Sequence, residues 1–282
     1  RILAAGTHPF SLWEDQIVTD KERYMGLLDT MQYVARRLLI FGMHVHIGIE
    51  DRDLQIDIMN QMSYFMPHIL TLSTSSPFWK GQNTGFKSYR SIVFEDLPRT
   101  GIPERFGSAA EYDQYVHTLV SCNSIEEPSK IWWDIRPHST FPTLEFRICD
   151  CTTKVNEVMA IAALIQALVA KLIQFRQSNQ TWRKYRRSLV VENKWRACKN
   201  GINGRLIDFG KEKEISLRSL MKEMLELVDD VVDPLGSREE INYIHKMLDK
   251  GTSADRQLAC YEKTQSFEAV IDQLCEETLE NC

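Results

Sequence analysis

The chain has 282 residues, 43% hydrophobic and 26% charged, with a formal net charge of -5. That is enough apolar material for a sizeable core, and it excludes the disordered regime. The negative balance gives no electrostatic reason to expect a nucleic-acid or anionic-membrane partner: basic residues cluster over 176–196, but acidic runs at 223–233 and 276–280 outweigh them.

In chain order, residues 2–6 (Ile-Leu-Ala-Ala-Gly) read as a strand entered midway with no initiator Met, so an upstream segment is expected to be missing. Residues 21–39 carry Tyr24, Leu27, Leu28, Met31, Val34 and Leu38 at helical spacing. Residues 41–50 alternate as a strand, and 51–70 follow as a helix with Asp51 or Asp53 as N-cap. The Ser-, Gly-, Thr- and Pro-rich stretch 73–103 holds Phe78, Trp79, Phe86, Tyr89 and Phe94, which argues for a functional loop rather than disorder. A helix is predicted over 111–121, and strands over 131–136 and 143–149 joined by a short turn. Beyond 154 the pattern is helical at 154–176, 188–199, 216–232, 237–249 and 254–280, with one strand at 204–209. The apolar run 158–170 is interrupted by Gln166 and reads as a buried helix, too short to span a bilayer. Strands first and helices after predict an α+β fold. The cysteines number seven, none at C-x-x-C spacing, and Cys149 and Cys151 are poorly placed to bridge each other. Free thiols in a reducing cytoplasm are the plain reading.

The chemistry lies in how charge falls within three strands. Period two places Phe41, Met43, Val45, Ile47 and Ile49 on one face and Gly42, His44, His46 and Gly48 on the other. In the same way Ile131, Trp133 and Ile135 oppose Trp132, Asp134 and Arg136, while Leu144, Phe146 and Ile148 oppose Thr143, Glu145, Arg147 and Cys149. If the polar faces share one sheet, they collect histidines, carboxylates and arginines over a small area, where unpaired burial would cost several kcal/mol each. Imidazole with carboxylate suits a divalent metal, and guanidinium suits phosphate or carboxylate. Metal plus arginine is what phosphoryl transfer requires. Each signal also has a plainer reading: His-x-His as a solvated face, and Glu-x-Arg or Asp-x-Arg as a surface ion pair.

The segments Gly42-Met43-His44-Val45-His46, Trp133-Asp134-Ile135-Arg136-Pro137, Thr143-Leu144-Glu145-Phe146-Arg147-Ile148-Cys149-Asp150 and Glu192-Asn193-Lys194-Trp195-Arg196-Ala197 resemble the bacterial carboxylate–amine ligases of the type 2 glutamate–cysteine ligase family. The loop 71–94, with Arg90-Ser91, is similar to the same family, and the resemblance runs to about Gly201. Glutamine synthetases are similar at greater distance, through the patterns around His44, His46, Glu145 and Arg147. The resemblance implies a glutamine synthetase-like catalytic domain over 1–282: a curved antiparallel sheet with a catalytic concave face, backed by helices, and a helical C-terminus.

It implies metal ligation by His44 and Glu145, ATP binding by His46 and Arg147, and catalysis by Arg147, Arg136 and Asp134. Arg90, Arg136, Asn193 and Arg196 would bind substrate, although 192–197 also reads as a capped surface helix with Trp195 packed inward. ATP with Mg2+ (or Mn2+) would be the cofactors, a small-molecule carboxylate and an amine the substrates, and a homodimer or higher homo-oligomer the assembly. The implied reaction forms an amide, γ-glutamyl–cysteine being the family's name reaction, through an acyl phosphate. The family's opening strand of clustered glutamates has no counterpart here, so the chain is expected to lack that acidic strand. Two other functions fit the residues: a metal-dependent amide hydrolase using His44, His46 and Glu145 on zinc, and a nucleotide-binding scaffold that has lost catalysis.

Overall fold

The computed structural model describes residues 1–280. Its strands are β1 (Val45–Gly48), β2 (Phe78–Trp79), β3 (Gln82–Asn83), β4 (Thr100–Gly101), β5 (Trp132–Trp133), β6 (Ile135–Pro137), β7 (Thr143–Phe146), β8 (Arg205–Asp208) and β9 (Lys213–Ser216). Its α-helices are α1 (Glu22–Met31), α2 (Tyr33–Arg36), α3 (Arg52–Met62), α4 (Met66–Ser73), α5 (Tyr89–Phe94) and α6 (Ala109–Ser121) in the first half. The second half adds α7 (Val155–Gln177), α8 (Arg187–Asn200), α9 (Leu217–Val232), α10 (Arg238–Lys250), α11 (Ser253–Thr264) and α12 (Phe267–Leu279). Strands and helices therefore mix as an α+β fold, with the helices concentrated toward the C-terminus.

The three polar-faced segments do meet in one antiparallel sheet, ordered β1-β7-β6. His46 pairs with Glu145, which pairs on its other side with Arg136, and residues directly opposite across a ladder share a face. The opposite face buries Ile135, Leu144 and Phe146, which belong to the same core cluster as Ile56 and Met59 of α3 and Ile161 and Leu164 of α7. Burying each such side chain contributes roughly 1.5–3 kcal/mol. Helix α7 is long and apolar enough to cross a membrane by count, and half of that apolar window is buried inside the fold, as the core reading of 158–170 requires.

Several predicted elements are divided, each for a local reason. Asp51 caps α3 by accepting the Leu54 N–H at 3.0 Å, but the helix predicted over 51–70 breaks before Pro67 and restarts as α4. The helix over 21–39 is interrupted at Gln32, whose φ of 47° is incompatible with a continuous helix, and 254–280 divides at Gln265 with φ 52°. The strand over 131–136 changes partner at Asp134. Up to there β5 runs parallel to β4; beyond it β6 pairs with β7. Residues 2–6 form no strand: Thr7 makes an isolated bridge to Ile40, and the Gly6 carbonyl accepts from the Phe41 N–H at 2.9 Å. Phe41, expected on the apolar face, is exposed. The predicted strand 204–209 appears as β8, but its partner β9 carries no apolar alternation that could have announced it.

Asn193 on α8 completes the β8 edge. Its side-chain amide donates to the Ile207 carbonyl at 2.9 Å and accepts the Ile207 N–H at 2.8 Å, so a buried amide substitutes for a further strand. Asn193→Ala removes both partners from one backbone unit. It should lower stability by about 1–3 kcal/mol, read as a fall in the urea midpoint at unchanged m-value.

Candidate active site

The Glu145 carboxylate is buried at the centre of the polar face, and three elements converge on it. Arg136 Nε on β6 donates to Oε2 at 2.7 Å, and Arg147 Nη1, just past β7, donates to Oε1 at 2.7 Å. His44 Nδ1 approaches Oε1 at 3.1 Å and His46 Nε2 at 3.7 Å. Burial by itself would raise the carboxyl's pKa, but His44, Arg147 and Arg136 outweigh it and hold the group well below the usual carboxylate range. Burial beside Arg136 lowers the Arg147 guanidinium to about 10, Glu145 opposing the shift. Arg136 also donates from Nη1 to the Ser129 and Ile131 carbonyls, so its side chain is fixed before any ligand arrives. His46 contacts Thr143 Oγ1 at 3.0 Å and meets the His138 ring edge-on at 5.2 Å. Burial lowers its pKa, with Glu145 acting in the other direction.

A second buried carboxylate anchors the neighbouring loop. Asp150 accepts from Ser75 N–H at 3.1 Å, Ser76 Oγ at 2.6 Å and Ser88 Oγ at 2.8 Å, and lies 3.9 Å from Arg90 Nη1. Gly6 presses against it: a Cβ there would stand 2.9 Å from Asp150 Cγ. Burial raises the pKa of Asp150, with Arg90 and the serine donors opposing the shift, and the loop 73–103 is ordered around this one buried carboxyl group. Arg90, itself buried, donates to the Ile148 carbonyl at 3.1 Å and the Arg147 carbonyl at 3.2 Å, and lies over the Phe94 ring. Gly42 leaves the space this guanidinium fills, since a Cβ would stand 2.8 Å from Arg90 Cζ and 2.9 Å from Nε. The Nε atoms of Arg90 and Arg147 are both buried with no hydrogen-bond partner among the described residues.

His44, His46, Arg136, Glu145 and Arg147 are thus brought together, with Arg90 at the Gly42 end. Asp134 is on the same run of strand, but its carboxylate binds Lys194 Nζ at 2.7 Å. Asn193 is committed to β8, and Arg196 pairs with Glu192 and Glu214 at the surface. Trp195, expected to pack inward, is half exposed; Asn193 and Lys194 are the inward residues of α8. Sequence reasoning passed over Asp150, Glu95 and Lys194. A signal for Lys194 existed: Val190, Asn193, Lys194 and Ala197 recur at helical spacing, so a charge sits within the buried stripe.

As a metal site the arrangement is partial. Among the described residues no group of three or more His, Cys, Asp or Glu is arranged to hold an ion. His44 and Glu145 present two donors, a number that suits an ion whose remaining ligands are phosphate oxygens and water. Burial pushes the Cys149 thiol up to about 12 and raises that of Cys151, so neither is a ready nucleophile. The six described cysteines are free; Cys282 lies outside the described residues.

A protein-family model described as glutamate-cysteine ligase family 2 matches residues 1–277. Proteins named as candidate glutamate–cysteine ligase 2 are similar along nearly all of the chain. The one from Herpetosiphon aurantiacus is 56% identical over 99% of this chain and 73% of its own length. Those from Chloroflexus aggregans and Solibacter usitatus are 54% and 51% identical, each over 99% of this chain and 72% of theirs. A solved glutamate–cysteine ligase from Francisella tularensis, in complex with AMP, shares the fold with a TM-score of 0.59 at 12% identity, over 93% of this chain; the chain spans 61% of that protein's length.

Gly42→Ala should force Arg90 off the carbonyls it holds, costing about 1–3 kcal/mol as overpacking does. Combining it with Arg90→Leu should be markedly less than additive, because the second change vacates the space. A double-mutant cycle by thermal unfolding measures this, and strict additivity would show that the two residues are uncoupled.

Proposed function

This chain belongs to glutamate-cysteine ligase family 2, and from that premise we propose that it is an ATP-dependent carboxylate–amine ligase, working through an acyl phosphate as one catalytic domain. One observation carries the reading. Arg90, Arg136 and Arg147 crowd around two buried carboxylates, and two of their Nε atoms are still without partners. Three guanidinium groups set against two carboxyl groups leave this face with positive charge to spare, which suits a further anion reached from its half-exposed His44–His46 side. The polar face of β1, β7 and β6 is then the concave catalytic face, and an ATP phosphate and a substrate carboxylate are the anions it gathers.

In the first step a carboxylate oxygen attacks the γ-phosphorus, the bond to the β–γ bridging oxygen breaks, and ADP leaves. The amine nitrogen then attacks the acyl carbon, phosphate departs, and the nitrogen gives up a proton to form the amide. Arg147 and Arg136 stabilise the charge on the transferring phosphoryl group, and their fixed geometry means little reorganisation at the moment of reaction. Arg90, with Arg136, orients the substrate carboxylate, and His46 lies beside the phosphates. A divalent ion, Mg2+ or Mn2+, carried by ATP would be held by His44 and Glu145 and would neutralise phosphate charge. Glutamate and cysteine, named in the relatives' descriptions, are the first substrates to test. The AMP of the Francisella protein supports an adenine nucleotide in this one.

Hydroxylamine intercepts acyl phosphates. Incubated with Mg-ATP, hydroxylamine and a panel of carboxylates including glutamate, the full-length protein should release ADP and hydroxamate together for one or a few members. ADP without hydroxamate from any carboxylate would reduce the activity to ATP hydrolysis and sink the proposal. In the same assay Arg147→Lys, which keeps the charge but loses the planar fork, should lower kcat by on the order of 10²-fold. An effect confined to KM would make Arg147 a ground-state binder only. His44→Ala should leave the protein folded, raise the Mg2+ concentration needed for half-maximal rate and abolish turnover when Mg2+ is limiting.

A further inference from the structure

One buried cation lies outside the Glu145 cluster and is used by nothing described above. Lys194, on the inward face of α8, places Nζ 2.7 Å from Asp134 Oδ2 and 2.8 Å from Glu95 Oε1. Lys194 and Asp134 are both about 3% exposed, whereas Glu95 is open to solvent on one side. Burial disfavours the charged ammonium, but Asp134 and Glu95 more than offset it, so it stays protonated across the ordinary pH range.

What the two anions are attached to decides the role. The Asp134 carbonyl accepts the Arg147 N–H at 2.7 Å, and the Asp134 N–H donates to Gly101 at 2.8 Å, at the residue where β5 gives way to β6. Glu95 ends α5, the short helix that begins at Tyr89 and carries Arg90. The Arg90 guanidinium donates to the carbonyls of Arg147 and Ile148. The peptide groups on both sides of Arg147 are therefore held, one by Asp134 and one by Arg90, and Lys194 binds the segment behind each. The path closes on itself: Lys194, Asp134, Arg147, Arg90, α5, Glu95, Lys194.

We propose that Lys194 is a positioning residue, which sets the Arg147 side chain against Glu145 and the reacting phosphoryl group by holding Asp134 and Glu95. This deepens the ligase reading and rests on it. It also assigns Asp134, one of the sheet's charged residues, to the framework rather than to the reacting atoms. A charge buried in this way is costly unless paired, and pairing it at the junction of two strand partners ties its stability to the register of the catalytic arginine.

The test uses the intact protein carrying Lys194→Met together with Asp134→Asn, so that no uncompensated charge is left buried and Glu95 can be hydrated. Two quantities are read: hydrogen exchange at the Arg147 amide by NMR, and kcat and KM for Mg-ATP in the hydroxamate assay. The proposal expects the Arg147 amide to exchange at least about 10-fold faster while other amides of the sheet hold their rates, with kcat down about 10- to 100-fold and KM changed far less. Glu95→Gln, at the half-exposed partner, should fold regardless and give the same signature at smaller amplitude. Exchange at Arg147 that rises only in step with the rest of the sheet, or kcat unchanged despite faster exchange, would overturn the assignment and leave Lys194 a core ion pair. If the parent protein makes no hydroxamate from any carboxylate, the ligase reading fails while the exchange measurement still decides whether Lys194 clamps Arg147.

Discussion

Glu145 is a carboxylate taken out of water in the middle of a three-stranded sheet, and the site is organised by what that requires. An ionised carboxylate at this depth must be matched by cationic donors or it would protonate. Arg136 from the neighbouring strand and Arg147 just past β7 are those donors, while His44 Nδ1 lies 3.1 Å and His46 Nε2 3.7 Å from the same carboxylate. Each donor is set by a backbone register that is also the register of the core below. A slip of one residue would turn the charged set into the core and Leu144 and Phe146 outward, so the apolar face and the polar face specify each other.

The arginines outnumber the carboxyl groups that hold them, and part of their donor capacity is spent on fixed carbonyl groups. Arg136 reaches Ser129 and Ile131, and Arg90 reaches Arg147 and Ile148. Such bonds orient a guanidinium without cancelling its charge. The result is a rigid, positively biased patch, the electrostatic condition that the proposed phosphoryl transfer asks for. Asp150 performs the corresponding service for the serine-rich loop. It recruits the Ser75 N–H and the hydroxyls of Ser76 and Ser88, and so brings α5 and Arg90 up to the sheet. Gly6 and Gly42 are required where they stand because the atoms of Asp150 and Arg90 occupy the space a side chain would need.

Alternation in 41–49, 131–136 and 143–149 was visible from residue order alone, since side-chain period in a strand does not depend on the partner. It separated apolar from polar faces and placed His44, His46, Arg136, Glu145 and Arg147 on the polar ones; of the two N-cap candidates that the residue types offered, Asp51 and Asp53, folding uses Asp51. Resemblance in the same segments pointed to the family that the whole-chain match establishes. Divided helices were not legible at Gln32 or Gln265, because a residue at positive φ without glycine leaves no mark in composition. The β9 strand was likewise silent, being polar and defined only by its hydrogen bonds to β8.

The sequence by itself determined which side chains could share a face, and therefore which chemistry was available, because alternation is a local property of an extended chain. Only the tertiary structure decided which charged residues belong to that chemistry. Asp134 and Arg136 are two apart on one strand and look alike in sequence, yet one turns to Glu145 and the other to Lys194. Asn193 and Lys194 are adjacent in a family motif, yet one completes a strand edge and the other neutralises a buried carboxylate. The difference lies in partners 9 to 60 residues away in the chain, and Coulomb attraction at hydrogen-bond distance exists only after folding has brought them into contact.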